Sequence, residues 1–435
     1  MTTRKAPAAC KGTTGATAPT RPAAGLPFEI DAAGAGPLGM PPADFLRDYW
    51  QKRPLLVRNA FPGYASPIEP EDLAGLACED GVLARIIQHD RANDVWSVRQ
   101  GPFPEEVFPA MPHQDWTLLV QDVDKWDADI AALLRDFAFL PRWRLDDIMV
   151  SFAAPGGSVG AHVDQYDVFL LQALGHRRWM IDASLAMGGE PPPLDFRDDV
   201  DIKLLREFTA THDWVLAPGD MLYLPPNVPH HGVPEDACLT FSVGMRAPSA
   251  AELLGDFADS LLEEADDDLR YADPDLALPA DPAEIDAAAM ARVVHALDLL
   301  RTDDPQRLGD WFGRFITQYR NAREVTAPGE AGPPRSRIEV EWDLEHGARL
   351  HRHPYSRMAW RRTGDGDSQA RLYVNGEAHP LPVADAAGIA NAAVLDGAGY
   401  AALSQDGRDC VLALLEAGHY GLALEDEDLD AGDQA

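Results

Sequence analysis

The 435-residue chain is long enough for two or three domains, and its 46% hydrophobic content can supply a sizeable core. Its 37 basic and 71 acidic residues give a formal net charge of -34, which repels nucleic acid and anionic lipid. This balance disfavours direct binding to DNA or RNA and is compatible with a basic partner. Solubility, or adaptation to a salty cell, explains the same charge, and the sequence leaves both readings open.

The cysteines and the first residues indicate a reducing compartment. Cys10, Cys78, Cys238 and Cys410 lie far apart without Cys-x-x-Cys spacing, so neither a zinc site nor a disulfide framework is indicated. The stretch "APAACKGTTGATAPTRPAAG" lacks the continuous apolar region of a secretory signal, and no later apolar run is long enough to cross a membrane. We therefore expect a cytoplasmic protein in which residues 1-26 form a disordered leader.

The first ordered segments predict alternating helices and strands. A helix should open at Pro41 and Pro42 with Phe45, Leu46 and Tyr49 on one face, and the buried strand "LLVRNAF" should follow it. Further along the chain we expect a helix in "EPEDLAGLACE", strands in "DVWSVRQGPF" and "WTLLVQDV", and an amphipathic helix in "DADIAALLRDFAFL".

Residues 146-246 change to short apolar strands that are broken by Gly and Pro. The runs are "DIMVSFAAP", "DVFLLQAL", "RRWMIDA", "DWVLAPGD", "MLYLPP" and "CLTFSVGMRA". Many short strands at this spacing are typical of an antiparallel sandwich or barrel of jelly-roll type. We therefore predict a mainly β fold with helices (α+β), with this segment at the centre of a domain over residues 27-248.

Helical periodicity returns after this segment. "SAAELLGDFADSLLEEA", with Ser249 as its N-cap, and "EIDAAAMARVVHALDLLR" predict two long helices within residues 249-322. The loop-like "NAREVTAPGEAGPPRS" leads into residues 335-424, which predict a small mixed module of winged-helix shape. Residues 425-435 form an acidic tail.

Two His-x-Asp triplets are candidate metal-binding elements. In an extended strand, residues i and i+2 share a face, so His162 and Asp164 can bind one ion. The second triplet, His113 to Asp115, follows "FPAMP" on an irregular connection, and we interpret it as structural. His162 instead follows the glycine-rich turn "PGGSVGA" and precedes an apolar strand, as expected for a ligand at a barrel wall.

A third ligand is available in "APGDMLYLPPNVPHHG", whose prolines rigidify the approach to His230 and His231. Two histidines and one carboxylate form the facial triad of non-haem Fe(II) oxygenases, which leaves positions open for cosubstrate and oxygen. Zinc is the main rival metal. Its catalytic sites with two histidines and a carboxylate usually show His-Glu-x-x-His on a helix, and this sequence lacks that motif.

Several longer runs resemble a known family. They are "FLRDYWQKRPLLVR", "WTLLVQ", "DDIMVSFAAPGGSVGAHVDQYDVFLLQALGHRRWMI", "PGDMLYLPPNVPHHG" and "FSVGMRAPS". In this order they resemble the JmjC-type 2-oxoglutarate oxygenases, and among them the bacterial ribosomal oxygenases, from about Leu38 to the C-terminal module. The resemblance implies a double-stranded β-helix core of jelly-roll or cupin type. It also implies hydroxylation of an arginine in protein sixteen of the large ribosomal subunit, with Fe(II), 2-oxoglutarate and O2.

The resemblance also implies roles for individual residues. His162, Asp164 and His230 become the iron ligands, and His230 is preferred to its neighbour because it directly follows the proline in the family pattern Pro-Pro-x-x-Pro-His. Arg177 matches the residue that holds the distal carboxylate of 2-oxoglutarate, a task suited to a planar guanidinium. Alternation with Trp179 favours Arg177 over Arg178.

Weaker expectations concern the surroundings of this site. Ser151 is a candidate second partner of the same carboxylate, although a buried serine satisfied by the backbone is an equal alternative. Gln165, Tyr166 and Asp167 follow the metal-binding triplet, and we expect them to face a substrate channel.

The implied partners are a basic ribosomal protein and a second copy of the chain. An acidic surface would speed capture of a basic protein, and residues 249-322 resemble the family's dimerisation region. The winged-helix-like module is expected to contact protein, and direct DNA binding is not expected. Two alternatives stay open: the same chemistry on a histidyl, asparaginyl or methyl-lysine residue, or a cupin-shaped module without turnover that acts in ribosome assembly. The intact set of His162, Asp164, His230 and Arg177 argues against the second.

Overall fold

A computed structural model describes residues 25-190, 194-200, 202-263, 265-266, 268-278, 281-300, 304-319, 335-363 and 368-423. Apart from residues 25 and 26, the predicted leader lies outside these residues, as do the acidic tail and most of the predicted link before the C-terminal module. Within the described residues, no helix has the length and apolar character needed to cross a membrane.

The N-terminal part is dominated by strands. They are β1 (Glu29–Asp31), β2 (Leu55–Arg58), β3 (Ala84–Asp90), β4 (Val95–Gln100), β5 (Trp116–Val120), β6 (Leu145–Ala153), β7 (Val168–Leu174), β8 (Arg177–Ile181), β9 (His212–Leu216), β10 (Met221–Leu224), β11 (His230–Pro234) and β12 (Cys238–Met245). Its helices are α1 (Pro42–Asp48), α2 (Pro70–Leu76) and α3 (Ala128–Leu133).

Two sheets organise these strands. The large sheet has the order β1-β2-β10-β7-β12-β6-β5-β3-β4, and the small sheet has the order β11-β8-β9. Except for the parallel pair β1 and β2, the pairings within the two sheets are antiparallel. Side chains from both sheets line one cavity of about 510 Å³. The prediction of a mainly β, jelly-roll core with helices is confirmed.

Alternation along β6 separates the hydrophobic core from the cavity. Ile148 and Val150 are buried in the main hydrophobic cluster, whereas Asp147, Met149 and Ser151 line the cavity. This follows from the two-residue repeat of a strand, which sends successive side chains to opposite faces. The large sheet therefore supplies both the floor of the cavity and one wall of the core.

Helix α1 closes the core over one end of the large sheet. It begins with Pro42, whose fixed backbone angle suits the first turn, and it buries Phe45 completely. The ring of Phe45 contacts those of Phe169 and Tyr223, with centroids 5.8 and 5.0 Å away. The helix predicted after Pro41 is confirmed, with Phe45 as its buried anchor.

The remainder of the chain contains a helical region and a small α/β module. The helical region holds α4 (Ala250–Glu263), α5 (Ala287–Asp298) and α6 (Pro305–Thr317). The module holds α7 (Arg337–Glu345), β13 (Arg349–Arg352), β14 (Met358–Arg362), β15 (Gln369–Val374), β16 (Glu377–Pro382), α8 (Val383–Asn391), β17 (Val394–Leu395), α9 (Gly397–Ala401), α10 (Gln405–Glu416) and β18 (Tyr420–Ala423). Ser249 caps α4 as expected, accepting a hydrogen bond of 3.1 Å from the Glu252 amide.

Several features differ from the sequence expectations. The described part of residues 249-322 contains three helices, α4, α5 and α6, where two were expected. Strand β3 was not predicted, because only Ile86 and Ile87 in its centre form an apolar run; its pairing with β4 and β5 fixes it as a strand. The triplet that starts at His162 lies in an irregular segment rather than in a regular strand, and a single antiparallel bridge joins His162 to His230. The triplet is therefore positioned by a backbone bridge to a distant residue, and not by a regular strand as predicted.

Candidate metal centre

Backbone pairing brings the two candidate histidines together. The His162 amide donates to the His230 carbonyl at 3.0 Å, and the His230 amide donates to the His162 carbonyl at 2.9 Å. Nearby, the Asn227 amide donates to the Asp164 carbonyl at 2.8 Å. The triplet and the distant histidine are thus held side by side by main-chain hydrogen bonds, which do not depend on an ion.

The three side chains form the cluster with metal-binding geometry within the described residues. One ligand atom from each of His162, Asp164 and His230 lies within 4.8 Å of the others. Oδ1 of Asp164 lies 4.0 Å from Nε2 of His162, and Oδ2 of Asp164 lies 3.6 Å from Nε2 of His230. Nitrogen and carboxylate ligands converging on one point suit a divalent transition metal.

Hydrogen bonds set the tautomer of both histidine rings. Nδ1 of His162 lies 2.9 Å from the Gly160 carbonyl, and Nδ1 of His230 lies 2.9 Å from the Val228 carbonyl. Because a carbonyl only accepts, each Nδ1 carries the hydrogen and donates it. In a neutral ring, Nε2 is then left with a free lone pair, and these are the atoms that face Asp164.

Burial keeps His230 neutral. Its side chain is 2% exposed, and burial, with the nearby His162 as a smaller contribution, lowers its pKa to about 4. A neutral imidazole is the form that binds a metal. His230 therefore needs no deprotonation before it acts as a ligand near neutral pH.

The neighbouring histidine points elsewhere. Nε2 of His231 lies 3.1 Å from the Ser158 hydroxyl, which itself donates to the Gly232 carbonyl at 2.9 Å. His231 is absent from the metal-binding cluster and from the residues that line the cavity. The alternation along β11 thus places His230 and His231 on opposite faces. His113, of the other triplet, is exposed and lies outside this cluster.

Gly160 allows the backbone turn that leads into the candidate ligand His162. Gly160 has a φ of +79°, and a Cβ there would lie 2.5 Å from a Leu204 methyl group. Its carbonyl is the acceptor that orients His162. A side chain at this position would therefore disturb both the backbone turn and the packing next to the candidate ligand.

Arg177 is a buried cation in the same cavity. It is 3% exposed, and among the described residues no carboxylate forms an ion pair with it. Among the described residues, its guanidinium donates only long hydrogen bonds, to the Ser151 and Thr240 hydroxyls at 3.3 and 3.4 Å and to the Gly232 carbonyl at 3.4 Å, and its Nε has no partner. Burial lowers its pKa. An anionic ligand would complete this environment.

Ser151 and Thr240 stand side by side under this guanidinium, on the paired strands β6 and β12. Both line the cavity, as the expectation for Ser151 required. Thr240 was missed from the sequence, and its position opposite Ser151 is decided by the register of two strands far apart in the chain. The Thr240 hydroxyl also donates to Gln172 Oε1 at 3.1 Å, which fixes its orientation.

The three residues expected near a substrate channel behave differently from one another. Tyr166 lines the cavity. Gln165 is exposed and donates to Asn227 Oδ1 at 2.9 Å. Asp167 is fully buried outside the cavity, where Gln51, Tyr223 and Arg144 donate to its carboxylate at 2.9, 2.7 and 3.0 Å. Its carboxylate is thus already satisfied, in contrast to the expectation that it faces the channel.

The cavity wall also carries two consecutive carboxylates, Asp146 and Asp147, at the start of β6. Burial, reinforced by neighbouring carboxylates, raises the pKa of Asp147 to about 8. A group in this state gains a proton or a cationic neighbour readily. Together with Asp164, these residues make part of the cavity suited to a positively charged side chain.

Comparison with known proteins agrees with this architecture. A family profile for the JmjC domain matches residues 132-253, and one for the ROXA-like winged helix matches residues 299-421. The chain is 38% identical over 334 residues to the ribosomal protein uL16 3-hydroxylase of Escherichia coli, covering 77% of this chain and 84% of that protein.

Solved structures extend the similarity over most of the fold. The X-ray structure of E. coli ycfD matches with a TM-score of 0.77 and 35% identity, over 88% of this chain and 98% of that one. A structure of YcfD, described as a ribosomal oxygenase from E. coli, in complex with cobalt and 2-oxoglutarate matches with a TM-score of 0.73 and 35% identity, over 87% and 97% of the two chains. With its histidine and aspartate cluster, its buried arginine and its two matching domains, the chain belongs to the JmjC-type ribosomal oxygenases.

Proposed function

We propose that the protein is an Fe(II)- and 2-oxoglutarate-dependent hydroxylase that modifies an arginine side chain of a large-subunit ribosomal protein. The observation that carries the proposal is the presence, in one cavity, of a cluster of metal-binding geometry and a buried arginine that pairs with no carboxylate of the described residues. The similarity to a ribosomal protein uL16 3-hydroxylase supports uL16 as the substrate protein.

The residues present fit the implied metal and cosubstrate. His162, Asp164 and His230 would hold the iron through two Nε2 atoms and a carboxylate oxygen, a donor set typical of non-haem Fe(II) oxygenases. Arg177 would hold the distal carboxylate of 2-oxoglutarate, with Ser151 and Thr240 as hydroxyl partners. Bound iron and 2-oxoglutarate supply, with O2, oxidative hydroxylation of an unactivated carbon, with succinate and carbon dioxide as co-products.

The chain's own residues provide placement. The carbonyls of Gly160 and Val228 accept hydrogen bonds from Nδ1 of the two imidazoles and so favour the tautomer whose Nε2 can ligate a metal. Apolar residues such as Leu170 and Trp179 line the cavity beside the polar groups and limit the access of water to the reacting atoms.

We assign Asp147 as the residue that binds the positively charged target side chain. Oδ2 accepts the Asp122 amide at 3.1 Å, whereas Oδ1 accepts no hydrogen bond from the described residues. Asp147 lies on the same face of β6 as Ser151, so an arginine bound to it lies across the cavity that contains the metal cluster. A guanidinium satisfies this carboxylate bidentately.

Two alternatives make different predictions. The same chemistry on a histidyl or asparaginyl residue would use the same metal cluster, but a neutral target would leave Asp147 unpaired. A methyl-lysine is also a cation and could pair with Asp147, but it lacks the planar guanidinium that binds a carboxylate bidentately. A binding module without turnover would have no need for Arg177, because a buried cation without a counter-ion costs free energy in the absence of its ligand. The first observation favours a cationic target, and the second favours an enzyme that binds an anionic cosubstrate.

We assign the acidic surface to capture of the basic ribosomal substrate in the cytoplasm. A net charge of -34 attracts a basic protein, and such attraction weakens as salt screens it. The KM for the protein substrate should therefore rise between low and moderate salt, while the KM for 2-oxoglutarate should change little. An unchanged protein KM would remove electrostatic capture from the proposal.

We assign the helical region, residues 249-322, to homodimer formation. Helix α5 buries none of its residues, and Met290, Val293, Val294 and Leu297 expose an apolar face at helical spacing. Sedimentation should show a dimer that Leu297→Glu converts to monomer. Leu278→Glu, at a leucine that is 98% exposed outside the helix, should leave the dimer intact. A wild-type monomer at all concentrations would refute this assignment.

Turnover with candidate peptides tests the main proposal. The protein is incubated with Fe(II), 2-oxoglutarate, oxygen and peptides from basic ribosomal proteins, and succinate and peptide mass are measured. We expect stoichiometric succinate and addition of one oxygen at an arginine, with none for His162→Ala. A modified histidine would replace the arginine assignment by the first alternative. Absence of succinate with every peptide would favour the binding module.

A further inference from the structure

The carboxylates on the cavity wall are part of a larger acidic cluster. Behind Asp146 and Asp147, the turn after β5 supplies Asp122 and Asp124. The Asp122 amide donates to Asp147 Oδ2, and Asp124 Oδ1 accepts the Ile148 amide at 2.8 Å. Four carboxylates therefore lie around the start of β6, where repulsion between them must be balanced by cations or protons.

The balancing groups come from different parts of the chain. Asp124 forms an ion pair with its neighbour Lys125, and Asp122 accepts a hydrogen bond from Tyr319, which follows α6. The remaining two carboxylates, Asp146 and Asp147, differ in their cationic partners. Asp146 Oδ1 receives Nη2 of Arg357 at 2.6 Å, whereas no cation among the described residues forms an ion pair with Asp147.

Arg357 belongs to the C-terminal module, 211 residues beyond its partner. Its backbone is tied to the turn between β15 and β16, because its amide donates to Asn375 Oδ1 at 2.7 Å and its carbonyl accepts the Asn375 amide at 3.1 Å. The guanidinium lies 4.6 Å from the ring centroid of Tyr319 and also donates to the Asp146 carbonyl at 3.2 Å. It is therefore fixed on both sides and holds Asp146 from two directions.

We propose that Arg357 is a positioning residue for the hydroxylation reaction: the C-terminal module uses it to hold the Asp146 side chain, so that Asp147 is the carboxylate that receives the cationic target side chain. This inference rests on the proposed function and deepens it. It gives the winged-helix module a part in substrate selection at the cavity wall, because one of its guanidinium groups decides which of two adjacent carboxylates is available.

Loss of Arg357 would leave two neighbouring carboxylates able to bind the same cation. Arg246, whose Nε lies 3.9 Å from Asp146 Oδ1, is too distant for a close hydrogen bond and holds this carboxylate less firmly. A target guanidinium would then be bound in two positions, of which only one presents the correct carbon. Misplacement of about 1 Å reduces hydroxylation of the target sharply. Oxidation of 2-oxoglutarate to succinate and carbon dioxide then continues at the expense of a two-electron reductant supplied in the assay, ascorbate, which reduces the second oxygen atom to water.

The experiment measures coupling, the number of hydroxylated peptides formed per succinate. Arg357→Met should lower coupling by about threefold or more relative to wild type, because the bound target is misplaced. Arg357→Lys, which keeps the positive charge, should restore part of the loss. The double variant Asp146→Asn, Arg357→Met should return coupling to within about twofold of wild type, since it removes the competing carboxylate.

Arg142→Met is the matched control. Arg142 also joins the two parts of the chain, donating to the Ala390 carbonyl at 3.0 Å, but it touches no carboxylate of the cavity. Melting temperatures of all variants report on folding separately from coupling. Unchanged coupling in Arg357→Met, or an equal loss in Arg142→Met, would overturn the proposal. Failure of the wild-type protein to produce succinate would instead refute the proposed function.

Discussion

Replacement of Arg177 by methionine separates ligand binding from folding. Among the described residues, the guanidinium makes only hydrogen bonds of 3.3 to 3.4 Å to neutral groups, longer than the usual 2.9 to 3.0 Å. Their acceptors keep other partners: the Gly232 carbonyl accepts from Ser158 at 2.9 Å, and the Thr240 hydroxyl donates to Gln172 at 3.1 Å. An apolar side chain of similar length therefore removes a buried charge without leaving new unsatisfied groups, and the metal-free protein should be as stable as wild type or more stable.

The affinity for 2-oxoglutarate, in contrast, should fall in Arg177→Met. Two charge-assisted hydrogen bonds to its carboxylate contribute about 3 to 6 kcal/mol in total, at about 1.5 to 3 kcal/mol each. At about 1.4 kcal/mol per factor of ten, the Kd should rise by about 100-fold or more. Calorimetric titration with 2-oxoglutarate and Mn²⁺ measures the Kd, and thermal unfolding measures stability.

The adjacent arginine is the control for this prediction. Arg178 lies on the outer face of β8, where it pairs with Asp213 and Glu235 at 2.9 and 2.7 Å. Arg178→Met should leave 2-oxoglutarate affinity unchanged. Wild-type affinity in Arg177→Met would refute the assignment of its guanidinium to the cosubstrate, and a large loss of stability would show that the residue serves the fold.

Three further predictions concern the metal, the acidic wall and the core. His162→Ala should abolish stoichiometric binding of Co²⁺ or Fe(II), measured by spectroscopy or calorimetry, whereas His113→Ala should bind as wild type; equal binding by both would remove His162 from the site. Because the pKa of Asp147 is raised to about 8, the folded state keeps a proton that the unfolded state loses, and this residue destabilises the fold increasingly from pH 4 to 8. Asp147→Asn should therefore increase the free energy of unfolding in urea more at pH 8 than at pH 5, and should raise the KM of the peptide. Phe45→Ala should cost about 3 to 5 kcal/mol in the same urea measurement, and a loss below 1 kcal/mol would contradict its anchoring role.

The local sequence was informative wherever short-range physics decides structure. Proline at the start of α1, serine before α4 and short apolar runs broken by Gly and Pro between residues 146 and 246 all predict elements that the structure contains. The candidate metal ligands could also be chosen from the sequence, because a His-x-Asp triplet, a distant Pro-His and a basic strand occur in an order that resembles one family. In contrast, the isolated pattern of β3 gave no signal, since its neighbours β4 and β5 make it a strand.

The residue types available for the chemistry follow from the sequence alone: two histidines and one aspartate for a metal, an arginine for an organic acid, and an excess of carboxylates for a basic partner. Only the tertiary structure decides which residues of these types lie together. A bridge between His162 and His230 selects one His-x-Asp triplet over its twin, strand register places Thr240 beside Ser151, and the C-terminal module delivers Arg357 to Asp146. Each of these depends on contacts between residues far apart in the chain, whose pairing is set by the packing of whole sheets and modules and leaves no trace in local spacing.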